Sequence, residues 1–127
     1  MVVSRRIRGN RPLVTAGYEN CGVAEYIKND EQEIFPSNTI TIDMFGNVFY
    51  RGYDFSADDN ILVLYSKDNI GRYENLFLTC SISSSIRDKY SYAKQYRQKS
   101  FNSTNIIIPS KNNEPDFNFM RDFISAT

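Results

Sequence analysis

The stretch Asn38-Thr-Ile-Thr-Ile-Asp-Met-Phe-Gly-Asn-Val-Phe-Tyr-Arg51 decides the fold of this chain, because it predicts a β-hairpin. Polar and apolar residues alternate in its first half, so Ile40, Ile42 and Met44 share one face of a strand. Gly46-Asn47 supplies turn residues, and the four residues after it return as the partner strand. We therefore expect a strand with one buried face, paired with its neighbour.

Four further strands are predicted around this hairpin, and one of them is strongly apolar. The strands cover residues 12–17, 25–27, 61–65 and 106–108. The run Ile61-Leu-Val-Leu-Tyr65 is continuously apolar, which is typical of a strand covered on both faces. Asn20 and Gly22 are turn residues between the first two strands.

Two amphipathic helices are predicted in the second half of the chain. The first runs from about Ile70 to Ser83 and is expected to be capped by Asp68 or Asn69. Its apolar stripe is Ile70, Tyr73, Leu76, Phe77 and Cys80, so Cys80 is expected to face a core. The second helix has Asp116 as its N-cap. Its stripe is Phe117, Met120 and Ile124, with Phe123 beside it.

The charge of the chain is balanced in total but uneven along the sequence. The formal net charge is zero. With 127 residues, the chain is long enough for one domain with a core. Cations gather in an N-terminal head and in a second stretch, at Arg5, Arg6, Arg8, Arg11, Arg87, Lys89, Lys94, Arg97 and Lys99. The acids lie mostly elsewhere, so a zero sum is compatible with a basic face or with solvated surface charges.

Several kinds of catalytic and cofactor site are excluded by the sequence. The chain has no histidine, which removes Ser-His and Cys-His catalysis. It has no GxGxxG, no P-loop and no Asn-Pro-Pro-aromatic signature, and Cys21 and Cys80 are far apart. One candidate metal site is Asp43, Asp58 and Asp59, although such short acids more often accept backbone N–H bonds in turns. We expect no cofactor and no bound metal.

The sequence also favours a cytoplasmic protein without a membrane segment. No apolar run follows the arginine-rich head, so we expect no signal peptide. No window approaches the length of a membrane span.

The chain resembles the target recognition domains of type I restriction-modification specificity subunits and of related type IIG and BcgI-like enzymes. The central similarity is carried by "NTITIDMFGNVFY" at 38–50 and "ADDNILVL" at 57–64. The start of this chain is similar to the opening of such domains, at Pro12–Gly17 with Asn20, Gly22, Val23, Tyr26 and Ile27. Weaker similarity lies in Tyr90-Ser-Tyr-Ala-Lys94, in Ile106-Ile-Ile-Pro109, and in Glu114-Pro-Asp-Phe117 with Met120.

This resemblance implies an α+β fold. The fold has a twisted, mostly antiparallel β-sheet with one or two packed helices and ends in the start of a spacer helix. Residues 1–112 are then the target recognition domain, and residues 113–127 begin a spacer or docking helix. A full specificity subunit resembles two such domains separated by long helices, whereas this sequence holds one.

The resemblance also implies that the chain reads double-stranded DNA and is not itself an enzyme. Two stretches are the expected readers: the first reader segment, Thr15 to Val23, and the second reader segment, Arg87 to Lys99. The expected DNA-binding residues are Thr15, Asn20, Arg87, Lys89, Tyr90, Tyr92, Lys94, Arg97 and Lys99. Arginines in the N-terminal head are expected to bind phosphate or to be solvated.

The implied partners are a methyltransferase subunit and a restriction subunit. The C-terminal helix is expected to dock a partner or a second copy through Phe117, Met120, Phe123 and Ile124. Two other hypotheses remain open at this point. One is a small metal-dependent nuclease using Asp43, Asp58 and Asp59, and the other is a β-rich protein-interaction module that binds no DNA.

Overall fold

A computed structural model describes residues 5–126 of the chain. Its elements are β1 (Arg8–Val14), β2 (Val23–Ile27), β3 (Thr39–Ile42), β4 (Val48–Arg51), β5 (Ser56–Ala57), β6 (Leu62–Leu64), α1 (Arg72–Ile86), α2 (Gln98–Ser103), β7 (Ser110–Lys111), β8 (Glu114–Pro115) and α3 (Phe117–Ser125). This α+β architecture confirms the predicted fold class. Helix α2 was not predicted, and β1 begins at Arg8 rather than at Pro12.

The strands form two small sheets and a short hairpin. The three-stranded sheets have the orders β2-β1-β5 and β4-β3-β6, and β7 pairs with β8. Strands β1 and β5 run parallel, whereas the other described pairs are antiparallel. The expectation of a mostly antiparallel arrangement is therefore confirmed, although the strands divide between two sheets.

The central hairpin forms as predicted, with Ile42 opposite Val48 in the antiparallel pair β3–β4. Its apolar face packs against α1, where Ile40, Ile42 and Val48 meet Ile82 and Ile86 in the main core. The expectation of a single buried face was wrong. All four residues of β3 are buried, because further parts of the chain cover its polar face as well.

The prediction of a doubly covered strand at residues 61–65 was also wrong. Strand β6 lies at the edge of its sheet and is half-buried, and in the described part of the chain it pairs only with β3. The side chain of Tyr65 is 57% exposed. An apolar run alone does not distinguish a central strand from an edge strand, because the number of neighbours depends on distant residues.

Helix α1 begins later and buries a different face than predicted. Gly71 is its N-cap, and the Gly71 N–H donates to the Glu74 carboxylate at 3.0 Å, so neither Asp68 nor Asn69 caps the helix. The buried residues of the helix are Asn75, Ile82 and Ile86. The Asn75 side-chain amide donates to the Asn38 side-chain oxygen at 2.9 Å, which ties α1 to the start of β3. Cys80, predicted to face a core, is exposed.

The C-terminal region confirms one prediction and contradicts another. Asp116 caps α3, since its carboxylate accepts the N–H of Phe119 at 3.0 Å. The predicted strand at residues 106–108 does not form, and Ile107 is 95% exposed. The short β7–β8 hairpin, which turns at Asn112 and Asn113, leads into α3 instead.

Candidate nucleic-acid interface

The turn of the central hairpin, Asp43 to Asn47, is the point where the two reader segments meet. Asp43 is 4% exposed, and its carboxylate accepts hydrogen bonds from the backbone N–H groups of Phe45 and Asn47, each at 2.9 Å. Gly46 has a φ of +84°, which a residue with a side chain rarely adopts. These contacts fix the shape of the turn.

The first reader segment is attached to this turn through Asp43. The Gly17 N–H donates to the second oxygen of the Asp43 carboxylate at 2.8 Å. The N–H of Thr15 donates to the carbonyl of Gly22 at 2.8 Å and closes the loop. Thr15 is half-buried, whereas Asn20 is exposed and adopts a positive φ of 50° at the tip. Of the two predicted readers here, Asn20 is therefore the more accessible.

Aromatic and cationic groups from β4 lie under the same loop. The Tyr18 ring contacts the Phe49 ring with centroids 5.9 Å apart. The Arg51 guanidinium lies 5.1 Å from the Phe49 centroid on the same strand. Gly22 is needed at this contact, since a side chain there would come within 3.0 Å of the Thr15 carbonyl oxygen. The loop, the aromatic ring and the guanidinium thus form one packed layer.

Arg51 is 1% exposed, and it forms no ion pair within residues 5–126. Its guanidinium donates to the Thr41 hydroxyl at 3.0 Å and to the Tyr53 hydroxyl at 2.9 Å. Arg51 is thus a buried cation without a carboxylate partner among the described residues. Its positive charge lies close to the first reader segment, at Gly22.

The second reader segment is attached to the other side of the same turn. The Tyr96 N–H donates to the Met44 carbonyl at 2.7 Å. Tyr96 is 1% exposed, and its hydroxyl shares a hydrogen bond of 2.8 Å with Thr104. Burial raises the pKa of the Tyr96 phenol. Tyr90 packs edge-on against Tyr96, with centroids 4.8 Å apart, and lies against Gly46. Both rings are structural anchors of the segment.

The five cations of the second reader segment are all exposed. They are Arg87, Lys89, Lys94, Arg97 and Lys99. Within the described residues none of them forms an ion pair. The Lys94 ammonium lies 5.7 Å from the Tyr90 centroid. The Arg97 guanidinium donates to the side chains of Asn60, at 2.8 Å, and Gln95.

The structure gives the predicted DNA-binding residues different degrees of access. Tyr92 is 77% exposed, whereas Tyr90 is half-buried. Lys89 lines a groove between α1 and α3. Sequence reasoning missed the roles of Phe49 and Arg51. The register of the predicted hairpin could have identified them. Phe49 pairs with Thr41 and Arg51 pairs with Thr39, so both lie on the polar face of the hairpin.

The acids considered as a metal site do not gather. Among residues 5–126, no group of three or more His, Cys, Asp or Glu side chains is arranged to hold a metal ion. The Asp43 carboxylate is engaged by the N–H groups around it, including the Asn47 side-chain amide at 2.9 Å. Asp58 carries a hydrogen bond from the N–H of Asp59 in the turn before β6.

The predicted docking residues divide between the core and the surface. Helix α3 packs against α1, and Met120 is fully buried. Phe117 and Ile124 are half-buried. Phe123 is 53% exposed, although its ring contacts Phe77 with centroids 5.8 Å apart. Phe119, which was not predicted, stacks on Phe123 and is 50% exposed.

No helix within residues 5–126 combines the length and the apolar character needed to cross a bilayer.

Comparison with known proteins identifies the family. The family model described as "Type I restriction modification DNA specificity domain" matches residues 5–127. Among curated proteins, no sequence matches the chain. One solved structure that is similar is the type I restriction-modification system S subunit from M. genitalium. It superimposes with a TM-score of 0.69 at 17% identity, over 98% of this chain and 33% of that chain. The chain spans about a third of that subunit and belongs to the type I restriction modification DNA specificity domain family.

Proposed function

We propose that this chain reads base sequence in double-stranded DNA through its two reader segments, as a module of a restriction-modification system that makes no covalent change itself. The observation that carries the proposal is the attachment of both segments to one rigid turn, through the Gly17–Asp43 and Tyr96–Met44 hydrogen bonds. Reading base edges requires hydrogen-bonding side chains held on a rigid scaffold, with further cations on the phosphates. A cytoplasmic location is part of the same proposal.

The roles of individual residues follow from their contacts. Lys94 is a phosphate contact, since its exposed ammonium is held only by the Tyr90 ring among residues 5–126. Arg97 is more restrained, because its guanidinium is bonded to Asn60 and Gln95. Asn20 and Tyr92 are the most exposed of the uncharged readers in their segments. Arg87, Lys89 and Lys99 supply further positive charge, and Thr15 and Tyr90 shape the segments around them.

A salt titration of DNA binding tests the proposal. Nonspecific duplex binding by such a module is expected at roughly 10⁻⁴ to 10⁻⁶ M at physiological salt. The affinity falls as the salt concentration rises, so the slope of log affinity against log salt is negative. We expect Lys94→Ala to reduce the magnitude of this slope by about one, since one phosphate contact is lost. Arg97→Ala should lower it less. Binding is measured by fluorescence anisotropy on random-sequence duplexes.

The control is Lys111→Ala, which removes the same charge from the exposed β7–β8 hairpin outside both segments. Equal slopes for wild type, Lys94→Ala and Arg97→Ala would remove the second reader segment from the interface. Absence of duplex binding at every salt concentration would favour a protein-interaction module. Cleavage of the duplex in Mg²⁺ by the wild type, lost in an Asp58→Ala, Asp59→Ala double variant, would favour the nuclease hypothesis.

The same proposal extends to the C-terminal helix and its partner. Residues 1–112 form the recognition domain, and residues 113–127 begin a helix that docks a methyltransferase subunit or a second copy of the chain. Support comes from Phe119 and Phe123, which stack on each other and remain half exposed beside α1. Large apolar side chains adjoining in this way are typical of interaction surfaces. A restriction subunit is the further partner of the assembled system.

Phe123→Glu is expected to abolish this docking, because a carboxylate in an apolar contact loses its hydration. The measurement is sedimentation velocity of the chain alone and with the methyltransferase subunit. Ile34→Glu is the matched control, since Ile34 is 56% exposed in a loop distant in sequence from α3. If Phe123→Glu sediments like the wild type in both experiments, α3 packs only on its own domain.

A further inference from the structure

Asp43 is the residue through which the two reader segments are connected. One carboxylate oxygen accepts the N–H groups of Phe45 and Asn47 and so closes the turn. The other accepts the Gly17 N–H of the first reader segment. The next residue, Met44, accepts the Tyr96 N–H of the second reader segment.

We infer that Asp43 is a positioning residue for DNA reading, which holds the first reader segment in register with the second. This inference rests on the proposed function, because Asp43 can position the segments for base discrimination only if the chain reads DNA. Asp43 is 4% exposed, so it contacts no DNA itself. Its effect passes through the Gly17 N–H and the turn.

The chemistry of the position requires a carboxylate rather than an amide. Within residues 5–126, the four groups that hydrogen-bond to this carboxylate are all donors: the N–H groups of Gly17, Phe45 and Asn47, and the Asn47 side-chain amide. A carboxylate only accepts hydrogen bonds, whereas asparagine directs two N–H donors from one side of its amide. An asparagine at this position therefore meets at least one donor with another donor. Asparagine has nearly the same shape as aspartate, so the variant keeps the packing. It loses either the hydrogen bond to the Gly17 N–H or one of those that close the turn.

Base reading and phosphate binding respond differently to such a loss. Base-edge hydrogen bonds need a fixed geometry, so a displaced loop loses discrimination. Phosphate contacts by long, flexible cations tolerate small displacements, and they carry no sequence information. A positioning residue should therefore change the ratio of specific to nonspecific affinity and leave nonspecific binding almost unaltered.

The experiment compares the full chain with its Asp43→Asn variant in two measurements. Amide hydrogen exchange followed by NMR reports the Gly17 N–H directly and needs no DNA. Binding is then measured on a duplex selected from a random library by the wild-type chain, and on the unselected pool. Asp54→Asn is the matched control, since Asp54 also accepts a backbone N–H, that of Ser37 at 2.9 Å, but is exposed.

We expect Asp43→Asn to speed exchange at Gly17 by about tenfold or more, while β3 and β4 amides stay protected. The ratio of selected to pool affinity should fall by about tenfold, the effect of losing one good base contact. Pool affinity and its salt slope should change by less than about twofold. Asp54→Asn should match the wild type in all three quantities. Should Asp43→Asn fail to fold, Asp43→Ser is judged by the same criteria. Its single hydroxyl oxygen can still accept an N–H of the turn, but no second oxygen remains for the Gly17 N–H.

Each contrary result has a distinct meaning. Unchanged exchange of the Gly17 N–H in the folded variant would contradict the claim that Asp43 anchors the first reader segment. Faster exchange with an unchanged affinity ratio overturns the positioning role and leaves DNA reading intact. A parallel fall of selected and pool affinity also overturns it, because Asp43 then supports the fold in general. If the wild type binds no duplex, the proposed function fails and takes this inference with it, whatever the exchange experiment reports.

Discussion

The two faces of the β3–β4 hairpin are buried by different means. The face with Ile40, Ile42 and Val48 packs on α1 and forms the main hydrophobic core. The opposite face carries Thr41 and Arg51, with Asp43 at its end, and is covered by a surface loop. One strand therefore contributes to an apolar core and to a buried polar layer, since successive side chains point to opposite sides.

This difference separates stability from positioning. Apolar burial is strong but has no preferred direction, so it holds the hairpin against α1 without fixing a loop to a fraction of an ångström. The hydrogen bonds that Asp43 accepts and that Arg51 donates have defined directions but stabilise less in net terms. We expect variants on the apolar face to lower the free energy of unfolding, and variants on the polar face to act more on the reader segments.

The largest expected effect is that of Ile42→Ala on the apolar face. Ile42 is fully buried. Truncation leaves a cavity and should lower the free energy of unfolding by about 2 to 5 kcal/mol. The measurement is urea denaturation followed by circular dichroism. Where the variant is still folded, its ratio of selected to pool DNA affinity should equal that of the wild type.

Ile107→Ala is the control for this prediction, because the same side chain is 95% exposed there. Its free energy of unfolding should change by less than about 0.5 kcal/mol. A folded Ile42→Ala variant that loses as much DNA discrimination as Asp43→Asn would contradict the division of labour between the two faces.

The sequence was sufficient to predict the hairpin, because its signals are local. Alternation from Thr39 to Met44 and the turn residues Gly46 and Asn47 fix the pairing of β3 with β4. The cap at Asp116 was predicted for the same reason, since its hydrogen bond spans only three residues. The family resemblance supplied the fold class.

Features that depend on distant contacts were not predictable in this way. The buried face of α1 is set by Asn75, whose partner Asn38 lies 37 residues away. Strand β6 is half-buried because the sheet ends there. The second covered face of β3 depends on the Gly17–Asp43 contact, which spans 26 residues. The reader segments themselves were identified by resemblance and charge, and their assignment to DNA stays a prediction.

A much smaller effect on stability than that of Ile42→Ala is expected for Arg51→Met on the polar face. Methionine keeps much of the length of the side chain and removes the charge. The variant loses the hydrogen bonds to Thr41 and Tyr53, each of which stabilises by about 1 kcal/mol. It also relieves the desolvation of a buried guanidinium that has no ion-pair partner within residues 5–126.

Because these two terms oppose each other, the free energy of unfolding of Arg51→Met should stay within about 1 kcal/mol of the wild-type value. The measurement is the same urea titration, with Arg51→Ala as a second variant that also loses the packing against Phe49. A loss above about 3 kcal/mol for Arg51→Met would show that the polar face also carries a large share of the stability. The contrast between the two faces would then lie in their chemistry alone, since both would hold the hairpin in place.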